Sequence, residues 1–308
     1  MVISSNSPLR ISDEVQTALD EGQGIVALET TIVVHGLPRP MNLEVAAACE
    51  QAVRRQGSVP ATIGVLDGKA VVGLSVAEVE RLADPERPAV KLSARDVGLA
   101  VAQSRDGATT VAGTIALAHV AGISVMATGG LGGVHREASV TFDESADLTC
   151  LARTPVLVVA SGVKSILDIP ATLERLDTLG VPVLGYRTLA FPGFYVHDSG
   201  EPMQWRSDDA VAVAKGFLAH RLFSSTGMLL ANPVGLDKQL DPELHERALA
   251  HAFSVVEKNG ITGRDVTPAL LSAFSEFTSG ASVIVNRDLV VANASLAGEI
   301  ANALAASA

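Results

Sequence analysis

Short runs of Val, Ile, Ala and Leu alternate with stretches of helical period along most of the chain. The runs at 24–28, 124–127, 156–160, 183–186 and 228–231 read as strands. Residues 61–66 and 70–72 form a further strand pair, turned by Asp67-Gly68, a dipeptide that favours tight hairpins. Residues 42–56 have a helical period, as do 75–83, where Ser75 is available as an N-cap. Asp168-Ile169-Pro170 opens a helix that Gly180 closes, with proline near the start and glycine past the end. Strand–helix alternation over this length predicts an α/β fold with a largely parallel sheet covered on both faces. In such sheets ligands collect outside the carboxyl ends of the strands, so chemistry is sought directly after each apolar run.

Residues 187–208 break the alternation. They hold two prolines, the only tryptophan, Phe191 and Phe194. This is too long for an ordinary connection and too apolar for a linker, and predicts a packed lid or an interface. After Asp208 the pattern is mostly helical. With no repeat and no linker-like tract, residues 1–308 read as one domain, 1–10 being a flexible N-terminus.

Composition narrows the function. The 308 residues carry a formal net charge of −11, which disfavours non-specific binding to nucleic acid but leaves room for one small phosphorylated molecule where cations converge. Aromatics are only 4%, too few for a base-stacking platform. Neither a signal-peptide pattern nor an apolar run of spanning length occurs, and a cytoplasmic protein with no membrane partner is expected. Cys49 and Cys150 have no metal-ligand spacing and read as free thiols in helices.

Candidate chemistry lies at the ends of the apolar runs. Glu29 follows the first; partial burial there would raise its pKa and suit it to proton transfer, although a loop acceptor would look the same. Lys91 follows Ala89-Val90 and needs an anion to be more than a solvated edge residue. The stretch from Thr128 to Arg136 has four glycines in five positions, so that either a ligand sits there or the loop is merely tight. Asp143, Glu144 and Asp147 with Ser145 lead into a helix; they suit a helix N-terminus, a hard cation, or a phosphate on the free amides. Lys164 is the sharpest candidate. An ammonium just past the buried run 156–160, flanked by aliphatics, loses hydration, and the neutral amine is a nucleophile toward carbonyl carbon; the alternative is a snorkelling lysine. The seven histidines show no zinc spacing, and no Gly-x-Ser-x-Gly elbow occurs.

Taken together, these segments resemble the pseudouridine-5'-phosphate glycosidase family, also known through indigoidine-synthase-A-like proteins. The matching stretches include Glu29-Thr30-Thr31 with His35-Gly36, Lys91 to Asp96, Gly107 to Val111, Ala127 to Arg136, Asp143 to Leu148, Lys164 to Pro170, Ala231-Asn232-Pro233, and Asn286 with Asn293-Ala294. The resemblance runs from about Gly24 to the C-terminus. It implies a three-layer α/β/α sandwich, a homotrimer and a divalent metal, usually Mn2+. The implied reaction is the reversible cleavage of pseudouridine 5'-phosphate to uracil and ribose 5-phosphate. Lys164 matches the nucleophile that forms an imine-type adduct at C1', and Glu29 the proton donor. Lys91, Val111, Thr128, His135, Ser145, Ala146, Asp147 and Asn286 match substrate contacts, and Asp143 the metal ligand. Val33-Val34, residues 137–140 and Glu144 depart from the family pattern, which bears on the metal geometry and not on the nucleophile. Carbon joins base to sugar in this substrate, so protonating a leaving oxygen between two carboxylates is not available. An amine that captures C1' offers another route.

Overall fold

A computed structural model of the chain describes residues 7–261 and 266–307. Its strands are β1 (Leu9–Ile11), β2 (Ile25–Leu28), β3 (Val59–Leu66), β4 (Lys69–Val72), β5 (Val90–Leu92), β6 (Gly107–Thr109), β7 (Val125–Ala127), β8 (Leu157–Ala160), β9 (Val183–Tyr186), β10 (Trp205–Ser207) and β11 (Met228–Ala231). They form one 11-stranded sheet of order β1-β4-β3-β2-β7-β8-β11-β9-β10, with β6 pairing both β3 and β5. Every pairing is parallel except β3 with β4 and β3 with β6.

The helices are α1 (Asp13–Asp20), α2 (Met41–Arg55), α3 (Val76–Leu82), α4 (Val97–Ala102), α5 (Val111–Val120), α6 (Ala138–Thr141), α7 (Ala146–Leu151), α8 (Ile169–Thr178), α9 (Ala210–Phe223), α10 (Pro242–Lys258), α11 (Val266–Phe277) and α12 (Ala281–Ala305), with a single π-helical turn at Ile32–Gly36. Helix α12 packs on β2, β7 and β8 and against α2 and α9; α5 covers β2 and β7 as well and pairs with α7. The mostly parallel sheet is thus flanked by helices, as the α/β/α expectation has it. Strands β2, β8 and β11 are buried at every residue, which is why they read as unbroken apolar runs rather than alternating ones.

The local signals act as their chemistry dictates. Asp67 and Gly68 both take positive φ (48° and 73°), the geometry of a tight antiparallel turn. Ser75 caps α3 in a reciprocal box with Glu78. The Asp168 side chain caps α8 by accepting from the Ala171 amide at 2.9 Å. Cys49 and Cys150 are free and lie in helices. Two expectations need correction. Leu9 and Arg10, read as part of a flexible N-terminus, belong to β1 and pair with Ala70 and Val71; residues 1–6 lie outside the described residues. The segment 187–208, expected only as a packed lid or an interface, is packed and also contains a strand, β10, that extends the sheet beside β9. Its Phe191, Phe194 and Tyr195 are buried in the main core, and Arg187 N donates to Ser207 O across its neck at 2.8 Å.

Candidate active site

Three neighbouring parallel strands, β2, β7 and β8, end side by side and deliver the chemistry. Glu29 follows β2, Thr128 follows β7, and Lys164 lies four residues past the end of β8. The parallel pairing continues beyond the strands: Ser161 N donates to Gly129 O at 2.9 Å, Leu131 N to Gly162 O at 3.0 Å, and Lys164 N to Leu131 O at 3.2 Å. The glycine-rich loop and the lysine loop are therefore zipped together, and the backbone of Lys164 is fixed.

Glu29, Lys91, Thr128, Lys164 and Asn286 line one cavity of about 300 Å³. That is the lower end of the range for small-molecule sites. Its roof is Phe194 and Tyr195 from the connection between β9 and β10, and its flanks are the π-helical turn with His35 and the start of α11 at Thr267 and Pro268. Phe194 takes φ 65°, unusual for a bulky side chain, and its ring lies where a Cβ on Gly130 would come within 2.6 Å. On the other side of the loop, a Cβ on Gly132 would meet Ser145 Oγ at 2.2 Å. Gly130 and Gly132 are required by close packing of the protein on itself, while Thr128, Gly129 and Gly130 of the same loop line the cavity.

The electrostatics follow from this arrangement. Burial pushes the Glu29 carboxyl above its ordinary pKa; the nearby Lys164 ammonium and the Thr128 hydroxyl, which donates to Glu29 Oε1, pull it part of the way back. Lys91, in the middle of β5, is exposed along much of its side chain. Its amine still has a lowered pKa, first from partial burial and then from the positive charge of Lys164. His35 is held below the usual imidazole value by burial and by Lys91. Two amines, an imidazole and a carboxyl thus act on one another inside a small volume.

The remaining residues proposed from sequence do not line this cavity. Asp147, 5% exposed, accepts from the Ala112 amide at 2.8 Å and the Gly132 amide at 2.9 Å, one on each carboxylate oxygen. It ties the start of α5 to the glycine-rich loop, and its charge acts on both Glu29 and Lys91. Ser145 caps α7, accepting from the Asp147 amide at 3.2 Å, and Ala146 is exposed. Val111 is buried at the start of α5, where the Gly113 amide is taken by Thr110 Oγ1 at 3.3 Å. The amides of Ala112, Gly113 and Asp147 thus already have protein acceptors.

Asp143 is exposed, with His135 Nδ1 3.8 Å from its Oδ2. Glu144 is occupied by Arg175 at 2.8 Å, which settles it as an ion-paired surface residue. Among the described residues no group of three or more His, Cys, Asp or Glu side chains stands together to hold a metal. One carboxylate with an imidazole alongside suits a hard divalent ion that keeps waters and substrate oxygens in the rest of its shell.

Sequence reading gave no role to Thr31, Phe194, Tyr195 or Thr267 in the cavity wall, or to Asn293 behind it. Among the described residues, the buried Thr31 Oγ1 and Asn286 Oδ1 find no hydrogen-bond partner. The signal for the roof was present as the apolar content of 187–208, but only the fold shows what it covers.

A carboxyl held toward its neutral form beside amines, in a small cavity at the carboxyl edge of a parallel α/β sheet, has the make-up of an enzyme site for a small molecule. Comparison with known proteins gives the family. The sequence model described as indigoidine synthase A like protein matches residues 14–303, and the chain belongs to that family of enzymes. A pseudouridine-5'-phosphate glycosidase of Salinispora tropica is 56% identical over 301 residues, covering 97% of this chain and 92% of that one. A protein of the same name from Roseiflexus sp. is 52% identical over 299 residues, covering 96% of each. Among solved structures, the prealnumycin C-glycosynthase AlnA in complex with ribulose 5-phosphate is similar at a TM-score of 0.90 and 41% identity, covering 97% of both chains. An indigoidine synthase A-like protein of Thermotoga maritima has a TM-score of 0.88 and 34% identity, covering 99% of this chain and all of that one. The resemblance read from the motifs is borne out.

Proposed function

We propose that the chain cleaves, reversibly, the carbon–carbon glycosidic bond of pseudouridine 5'-phosphate, giving uracil and ribose 5-phosphate through an adduct on Lys164. The observation that carries this is the meeting of Glu29, Lys91 and Lys164 in one cavity, with Thr128 donating to Glu29. The names of the relatives and the sugar phosphate bound to AlnA support the substrate class.

The chemistry follows from the groups present. Glu29, whose burial favours the neutral acid, protonates the ring oxygen O4' as Lys164 Nζ bonds to C1' and the C1'–O4' bond opens. The alkylated nitrogen gives up a proton to the Glu29 carboxylate, which passes it to C5 of uracil as the C1'–C5 bond breaks, and C1' is left as a protonated imine of Lys164. Water hydrolyses the imine, releasing the aldehyde of ribose 5-phosphate and the free amine. Lys91 supplies the cation for the phosphate, and binding energy from that remote group positions C1' against Lys164. The aromatic roof of Phe194 and Tyr195 excludes water from the reacting atoms. Asp143, with His135 beside it, is where a divalent ion such as Mn2+ would be held, and bound there it would supply a fixed positive charge. The assembly expected is a homotrimer.

The test is uracil release from pseudouridine 5'-phosphate by the purified protein, with and without chelator. Release that falls on chelation and returns with Mn2+ supports both the reaction and the ion. No release would remove this substrate. A second reading has its own support in the likeness to a C-glycosynthase: the same site joining a pentose phosphate to a different aromatic carbon. Ribose 5-phosphate consumption with such an acceptor, in the absence of any reaction with uracil, would favour it.

A further inference from the structure

Helix α12 places one fully buried amide, Asn293, behind the active site. Its Nδ2 donates to Thr128 O at 2.8 Å and to Ser161 Oγ at 3.1 Å, with Gly129 O at 3.4 Å. Its Oδ1 accepts from Asn232 Nδ2, just past β11, at 2.9 Å. The side chain is thus bonded to the residues that follow β7, β8 and β11 at the carboxyl edge of the sheet. One of those segments carries a reacting group, Lys164, and another touches the second, Glu29. Thr128 presents its hydroxyl to Glu29, and Ser161 begins the loop that ends at Lys164.

A buried primary amide with its donors and acceptor engaged is a costly group to place, and it belongs where a fixed geometry is needed. The loops after β7 and β8 share the backbone bonds described above, and Asn232 N to Ala160 O ties the segment after β11 to β8. Asn293 adds a side-chain tie across all three segments from a long helix anchored on the sheet, joining the loops after β7 and β8 through one atom, Nδ2.

We infer that Asn293, seated by Asn232, is a positioning residue of the reaction: it sets the placement of the Thr128–Glu29 pair against the Lys164 loop. The inference rests on the reading of Glu29 and Lys164 as the reacting groups. It assigns Asn293 no contact with substrate, since the cavity wall does not include it.

The variant Asn293→Asp keeps shape and the acceptor for Asn232 but turns the donor facing two carbonyls into a second acceptor. The expected result is a kcat reduced by ~10- to 100-fold, the scale of a misplacement near 1 Å, with KM for pseudouridine 5'-phosphate within about threefold of wild type. A second reading needs no substrate: the Glu29 carboxyl, followed by 13C NMR, should titrate at higher pH in the variant because the Thr128 bond that favours its ionised form is loosened. Should Asn293→Asp not fold, Asn232→Ala, which frees the amide from one side, should show the same two changes more weakly. A folded variant with wild-type kcat and an unmoved Glu29 titration would overturn the inference. Wild-type protein that releases no uracil would instead sink the substrate reading, while the Glu29 titration would still decide the positioning role.

Discussion

Replacing Asp147 with Ala removes one buried carboxylate and leaves two amides without acceptors. Ala112 N and Gly132 N now donate to it at 2.8 and 2.9 Å, and Asp147 is 5% exposed. Each stranded buried N–H costs about 1–3 kcal/mol, so the variant should lose roughly 2–6 kcal/mol of stability. That is a large share of the ~5–15 kcal/mol typical of a folded domain. Asp147→Asn should lose about half as much, because one oxygen remains while the new NH2 faces an amide N–H. The assay is urea unfolding followed by far-UV circular dichroism at fixed protein concentration, comparing midpoints at constant m-value. Wild type, Asn and Ala should rank in that order. A loss below about 0.5 kcal/mol for Asp147→Ala, the range of an inconsequential surface substitution, would refute the strut.

Glu29→Gln should abolish turnover and stabilise the fold as pH rises. The Glu29 pKa is raised in the folded protein, so stability is lost as pH climbs from the unfolded carboxylate value, about 4.3, through the raised folded value. The glutamine escapes that loss, so its advantage in melting temperature should grow over this window; a flat difference from pH 4 to 8 would contradict the burial of an ionisable carboxyl. Lys91→Ala should raise KM for pseudouridine 5'-phosphate by tenfold or more with a smaller change in kcat. Its effect on unphosphorylated pseudouridine should be small; equal losses on both substrates would take Lys91 out of the phosphate site.

Much of the architecture was legible because it is local. Apolar runs fully buried in the middle of the sheet, such as β2, β8 and β11, announce themselves without help from distant residues. The turn at Asp67-Gly68 and the cap at Asp168 are fixed by side chains within a few positions. Glu29 and Lys164 could be picked out because a charged group directly after such a run has few places to go except the carboxyl edge. The three-residue strands β1, β6 and β10 carry too little pattern to be seen; they exist because a longer neighbour offers them hydrogen bonds. Asp147 looked like a ligand because its partners, Ala112 and Gly132, lie 35 and 15 residues away. Asn293 gave no signal of its role, since its bonds reach across 165, 132 and 61 residues.

The most direct test of the Lys164 chemistry is reductive trapping. Protein incubated with ribose 5-phosphate and borohydride, then digested and examined by mass spectrometry, should carry one reduced pentose phosphate on the peptide containing Lys164, and Lys164→Ala should carry none while keeping its fold. A label on Lys91 instead, or no label in wild-type protein that still releases uracil, would contradict Lys164 as the covalent nucleophile.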